Sequence, residues 1–178
     1  MYTIFNIRLA SFALLQIIFL LFFSCTNNAQ NDWEKLVYYY NAGSLPPPYH
    51  YHYTISISKD GQGELLHTTG YTDKEKNTSK HNFNLSDKEL KVLIKAVKES
   101  EVLKSDIKQR PGEEIPDGGH SDELTFYSQT GETKTGNIIK LVPSYPDLKY
   151  EETLNKLYSV IIKCVPDDIW NKVNAREE

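Results

Sequence analysis

The sequence predicts an α+β fold: one antiparallel sheet of four to five strands with two helices packed on one face, in the order β-β-β-α-β-β-α. Three observations predict it. Short stretches of alternating apolar and polar residues come in pairs around turn residues. Runs with helical apolar spacing follow these groups of strands. The strand-helix-strand alternation of a parallel nucleotide-binding sheet does not occur.

The first strand is expected at residues 36–40, a short apolar and aromatic stretch ending in Tyr38, Tyr39 and Tyr40. After Gly43 and three prolines, a clear alternation runs over residues 49–58. It sends Tyr49, Tyr51, Tyr53, Ile55 and Ile57 to one face and His50, His52, Thr54, Ser56 and Ser58 to the other. Asp60-Gly61 supplies a tight turn, and residues 64–71 return antiparallel.

A charged loop leads to the strongest local signal, Leu85-Ser86-Asp87-Lys88-Glu89-Leu90. Ser86 as N-cap and Glu89 form a capping box, Leu85 can staple onto Leu90, and Leu93, Ile94 and Val97 continue the helical spacing to about residue 103. A loop rich in Pro, Gly and acids follows over residues 110–120. A second hairpin is expected from residues 124–127 and 138–141 around a Thr130-Gly131 turn. A second helix should then run from Pro146 or Asp147 to Cys164, with Pro166 opening a short helix that bears Trp170 and Val173.

The start of the chain has a different character. Arg8 is the sole charge before an apolar run over residues 9–23, the layout of a secretory signal. A membrane-spanning helix needs about 20 apolar residues, more than this run supplies. Its last residues, Leu21-Phe22-Phe23-Ser24-Cys25, resemble the lipobox cut by the lipoprotein signal peptidase, with Phe22 and Phe23 bulkier than usual. That resemblance implies a signal peptide over residues 1–24 and a diacylglycerol thioether on Cys25, followed by a polar tether at 25–31 and a single domain at 32–178. Two or three acyl chains, at about 0.8 kcal/mol per buried methylene, would hold such a protein to a membrane. The expected location is the cell envelope, with the domain outside the cytoplasm. Thr26 after the cysteine favours the outer membrane, because the retention rule of some bacteria uses Asp there.

Composition narrows the function classes. The formal net charge is −4, with Lys and Glu interleaved, so neither nucleic acid nor an anionic lipid surface is an expected partner. The chain has two cysteines; with Cys25 acylated, no internal disulfide forms and the core must hold the fold. Cys164 falls in register with Leu154, Leu157 and Ile161, where a buried apolar role is expected.

Several features carry candidate chemistry. If Asp60-Gly61 is a two-residue turn, His67 stands opposite Thr54 on the face that carries His50 and His52, and three imidazoles could hold zinc. A slip of one residue would send His67 to the other face. Glu113, Glu114, Asp117, Asp122 and Glu123 crowd a glycine-rich loop as hard oxygen ligands for calcium, without EF-hand spacing. His120, Ser121 and Asp122 are the residue types of a hydrolase triad, but adjacent residues do not aim at one another productively. Gly-x-Ser-x-Gly, a phosphate loop and His-Glu-x-x-His are absent. Pro46-Pro47-Pro48-Tyr49 matches a WW-domain ligand, yet a bend before a strand explains it. The tyrosines at 38–40, 49, 51, 53 and 71 could form a platform for sugars or a partner protein; the triplet must show at least one ring, since neighbours on a strand point to opposite faces.

The elements Tyr38-Tyr39-Tyr40, Gly43, Pro46-Pro47-Pro48-Tyr49, Tyr53, Asp60-Gly61, Gly70-Tyr71, the capped helix, Asp117-Gly118-Gly119 and the stretch from Pro166 to Trp170 resemble a pattern found in uncharacterised bacterial lipoproteins and envelope proteins. The resemblance implies the fold and supplies no site. The sequence therefore predicts a membrane-anchored, non-enzymatic binding or structural module with an envelope protein partner and no cofactor. The alternative is a ligand- or metal-binding protein using the histidine face or the acidic loop.

Overall fold

The structure is a computed structural model that describes residues 33–71, 77–128 and 136–175. The leader, Cys25, the tether and the Thr130-Gly131 turn lie outside the described residues. Among the described residues the chain is α+β, with a six-stranded antiparallel sheet and three α-helices. The strands are β1 (Lys35–Asn41), β2 (Tyr51–Ser58), β3 (Gln62–Thr69), β4 (Thr78–Asn84), β5 (Ser121–Ser128) and β6 (Asn137–Val142). The helices are α1 (Asp87–Glu99), α2 (Glu151–Lys163) and α3 (Asp167–Asn174). The spatial strand order is β4-β3-β2-β1-β5-β6. No helix among the described residues is long and apolar enough to cross a membrane.

One strand goes beyond the sequence reading. Strand β4, Thr-Ser-Lys-His-Asn-Phe-Asn, has a single large apolar residue, so no alternation marks it. It forms because β3 offers an open edge, and Phe83 packs across the pair onto Gly63. A Cβ at Gly63 would stand 2.2 Å from the Phe83 ring, so the glycine makes room for the aromatic. As an edge strand, β4 is polar and carries Lys80, which discourages pairing with other chains.

Alternate positions of the strands build one core. Leu36, Tyr38, Ile55, Ile57, Leu65, Phe83, Leu124, Phe126 and Val142 share one face and cluster with Leu93 and Val97 of α1, Leu154, Leu157, Tyr158 and Ile161 of α2, and Ile169 of α3. Each fully buried aliphatic side chain contributes about 1.5–3 kcal/mol. Cys164 lies in this cluster as a buried free thiol, and burial pushes its pKa up to about 11. The opposite sheet face carries no helix of this cluster, and there the groove described below opens.

Helix α1 starts where the sequence places it. The Ser86 hydroxyl accepts from the Glu89 N–H, and the Glu89 carboxylate accepts from the Ser86 N–H at 2.8 Å, completing the capping box. It ends at Glu99, before a turn in which Glu101 takes a positive φ of 52°. The second helix opens with a 3-10 turn at Leu148–Tyr150, capped by Asp147, before α2 proper.

The β2-β3 turn corrects the expected register. Ile57 pairs with Gly63 and Tyr53 with His67, so the loop holds one residue more than a two-residue Asp60-Gly61 turn would. The physical cause is Gly61, at φ +91°, which closes the longer loop through its N–H to Ser58 O at 2.9 Å. Strand β2 also begins at Tyr51 rather than Tyr49. Pro46 O accepts from the N–H groups of Tyr49 and His50 in a turn, and Tyr49 is exposed instead of facing the core.

Candidate functional site

Odd and even positions of β1 go to opposite faces, and this divides the tyrosine triplet. Tyr38 is buried in the core and Tyr40 stacks at 4.9 Å on Tyr53 on the same side. Tyr39 turns to the open sheet face. There it joins His52 and Thr54 of β2, Leu66 and Thr68 of β3, and Thr78 of β4 as the floor of a groove of about 890 Å³. That volume falls within the range of small-molecule sites, about 300–1,000 Å³.

Three loops wall the groove at its end: the turn after β1 with Gly43 and Ser44, the segment after β3 with Tyr71, and the approach to β5 with Gly118 and Gly119. The first and third are in direct contact. A Cβ on Gly43, at φ +81°, would lie 1.8 Å from Gly119 O, so only glycine allows this closure. Asn41 holds the turn, its Oδ1 accepting from the Gly43 N–H at 2.7 Å while its Nδ2 donates to the Tyr39 hydroxyl at 3.2 Å.

His50 ties the first wall to the second. Its Nδ1–H donates to Gly70 O at 2.7 Å, and its Nε2 lies 3.3 Å from Asn41 Oδ1. The imidazole is 4% exposed because the Tyr71 ring covers it, with centroids 3.9 Å apart and planes at 18°. The Tyr71 hydroxyl in turn donates to Leu45 O. Tyr71 itself remains 55% exposed, so one ring face rests on His50 while the other is open to ligand.

The predicted histidine trio is not assembled. His50 and His52 line the groove, with rings 5.9 Å apart, but the register sends His67 to the helix side of the sheet, stacked 5.8 Å from Tyr51. Burial, and then the nearby His52 and His81, lower the His67 pKa. The acidic loop is dispersed as well. Glu113 and Glu114 lie in an exposed 3-10 turn, Asp117 is exposed, and Asp122 and Glu123 point to opposite faces of β5. Among the described residues no group of three His, Cys, Asp or Glu side chains is placed to hold a metal ion.

His120, Ser121 and Asp122 are split in the same way: Ser121 lines the groove, whereas Asp122 lies across β1 from Tyr40 on the helix side. Asp122 accepts a hydrogen bond from Tyr38, and its Oδ2 lies 3.5 Å from His120 Nε2. Burial raises the Asp122 carboxyl above its ordinary value, with Tyr38 and His120 pulling the other way. Tyr38 is raised well above the phenol range by burial and then by Asp122, and Tyr40 to about 12 by burial and then Tyr51. The Tyr158 ring lies tilted at 37° to that of Tyr38 with centroids 5.1 Å apart, and its hydroxyl is buried with no hydrogen-bond partner among the described residues. This helix-side cluster locks rings and protons in place and gives Ser121 no base.

Among the described residues the groove is lined by aromatic and imidazole rings, hydroxyls, one side-chain amide and backbone, and by no Lys, Arg, Asp or Glu. It can stack and exchange neutral hydrogen bonds. Sequence reasoning named Tyr39 and Tyr71 in a tyrosine platform, His50 and His52 in a zinc site, Ser121 in a triad and Gly43, Gly118 and Gly119 as turn residues; it missed Asn41, Thr68 and Tyr145 as lining residues. No protein-family model and no curated protein matches this chain.

Proposed function

We propose that this chain is a lipid-anchored, non-enzymatic binding module of a bacterial cell envelope that presents the open-face groove to its ligand. The anchor rests on the apolar run at 9–23 and the lipobox-like Leu21–Cys25 segment. The observation that carries the binding role is the groove of about 890 Å³, without charged side chains among its described lining residues and with walls tied together by His50, Asn41 and Tyr71. Preorganised rings and donors of this kind reduce the ordering cost of binding. Catalysis finds no support in the split of His120, Ser121 and Asp122 across two faces.

Two measurements test this reading. Metabolic labelling with palmitate should mark the full-length protein and fail for Cys25→Ala; labelling of neither would remove the anchor. A photo-crosslinking residue at Ser44, at the groove rim, should capture an envelope component in cells. Equal capture from Lys95, exposed on α1, would show that the groove is not the site.

A further inference from the structure

The composition of the groove specifies the class of its ligand. Its floor is the open face of β1, β2 and β3, interior strands whose backbone groups are already used by neighbours on both sides, and it reaches the edge strand β4 only at Thr78. A ligand lying over the interior strands therefore meets side chains rather than open backbone. Those side chains offer hydroxyls from Tyr39, Thr54 and Ser121 and the amide of Asn41. The Tyr39 hydroxyl accepts from Asn41 Nδ2, which leaves its own proton to donate. A phosphate, carboxylate or ammonium group entering the groove would lose water and find no opposite charge among the described lining residues. An acyl chain would strand the same hydroxyls and amide without partners.

Tyr71 adds the second requirement. Its ring is held on one face by His50 and at its hydroxyl by Leu45 O, leaving a fixed, solvent-facing aromatic plane at the wall. Such a plane suits a flat, weakly polar C–H face, while the floor suits several neutral hydroxyls beside it. A pyranose ring has both surfaces. We infer that the groove binds a neutral saccharide, one sugar ring stacking on Tyr71 and its hydroxyls bonding to Tyr39 and Asn41. This inference rests on the groove being the binding site, as proposed above.

The test uses the full-length protein in a detergent without a sugar headgroup, applied to an array of neutral oligosaccharides (gluco-, galacto-, manno- and N-acetylglucosamine series) and of uronic-acid and phosphorylated ones. Binding to at least one neutral series is expected, with at least tenfold loss in Tyr71→Ala and in Tyr39→Phe. Tyr71→Phe should retain most of it, because the ring stays stacked on His50, and this separates lost stacking from a collapsed wall. Binding to no neutral series, binding to charged sugars alone, or undiminished binding by Tyr71→Ala would each overturn the inference. If the array is blank while the Ser44 crosslinker still captures an envelope protein, the groove stands as a binding site and the saccharide does not. If both are blank, both fall.

Discussion

Replacing Gly43 by Ala tests how tightly the Gly43 turn closes against Gly119 at the groove end. Two costs arise. At φ +81° an alanine sits in the left-handed region, at about 1–2 kcal/mol. The new methyl also meets Gly119 O at 1.8 Å, well inside the 3.4 Å at which ordinary contact begins. Either the two loops part or the Gly43 turn gives up its bond to Asn41, and misfit of this kind costs about 1–3 kcal/mol. Gly70→Ala is the control, since φ there is +76° but nothing lies within 4 Å of the new Cβ. Both variants gain equally from a stiffer unfolded chain, so that contribution cancels in the comparison. Equilibrium urea unfolding followed by tryptophan fluorescence should place Gly43→Ala about 1–3 kcal/mol below Gly70→Ala. Losses equal to within about 0.5 kcal/mol would refute the tight closure, because backbone strain alone would then account for both. The same variant should weaken ligand binding more than Gly70→Ala does, since the groove wall moves.

Other perturbations read other parts of the fold. Ser86→Ala should cost about 1 kcal/mol in the same unfolding assay, because the hydroxyl caps the Glu89 N–H; a neutral result would show the cap to be idle. Asp122 has a raised carboxyl pKa, so its contribution to stability is fully present below the unfolded value of about 3.9 and is lost as pH rises through the folded value. Asp122→Asn keeps an acceptor for Tyr38, and its stability minus that of the wild type should rise as pH rises above about 4; a difference that falls with pH would contradict the burial argument. The His67 pKa is lowered, so its contribution is fully present above the unfolded value of about 6.5 and is lost as pH falls from there through the lower folded value. His67→Gln should flatten the stability profile between about pH 7.5 and 5, and an unchanged slope would mean that His67 is not the residue being titrated.

The legible parts of the fold were those with a local cause. The capping box fixes the start of α1 within the residues that form it, and the Tyr53, Ile55, Ile57 alternation fixes the buried face of β2 before any partner is known. Cys164 was legible for the same reason, since its helical register with Leu157 and Ile161 decides its burial. Strand β4 was not legible, because a single Phe83 gives no period and its pairing is decided by the open edge of β3. That is tertiary context overriding propensity.

The site failed at one residue of register, and the failure shows why sites are harder to read than folds. Both turn lengths leave Leu65 or its neighbour able to pack on the core, so the apolar pattern of β3 tolerates either, whereas the histidines do not. With Gly61 in the left-handed region the longer loop wins, Tyr53 faces His67, and the zinc trio dissolves. The groove that replaces it draws on five strands and four loops, from Tyr39 in β1 to Tyr145 after β6. The sequence singled out Tyr39 and Tyr71 as part of a tyrosine platform, His50 and His52 as zinc ligands and Ser121 as a triad member, while Gly43 reads as a turn and Asn41 as a polar residue before a bend. Their common purpose appears only when β1 is flanked by β2 and β5, which brings the Gly43 turn against Gly119 and seats Tyr71 over His50. The turn residues that first suggested only a fold are therefore the ones that shape the groove, and the variants at Gly43 and Tyr71 test that link directly.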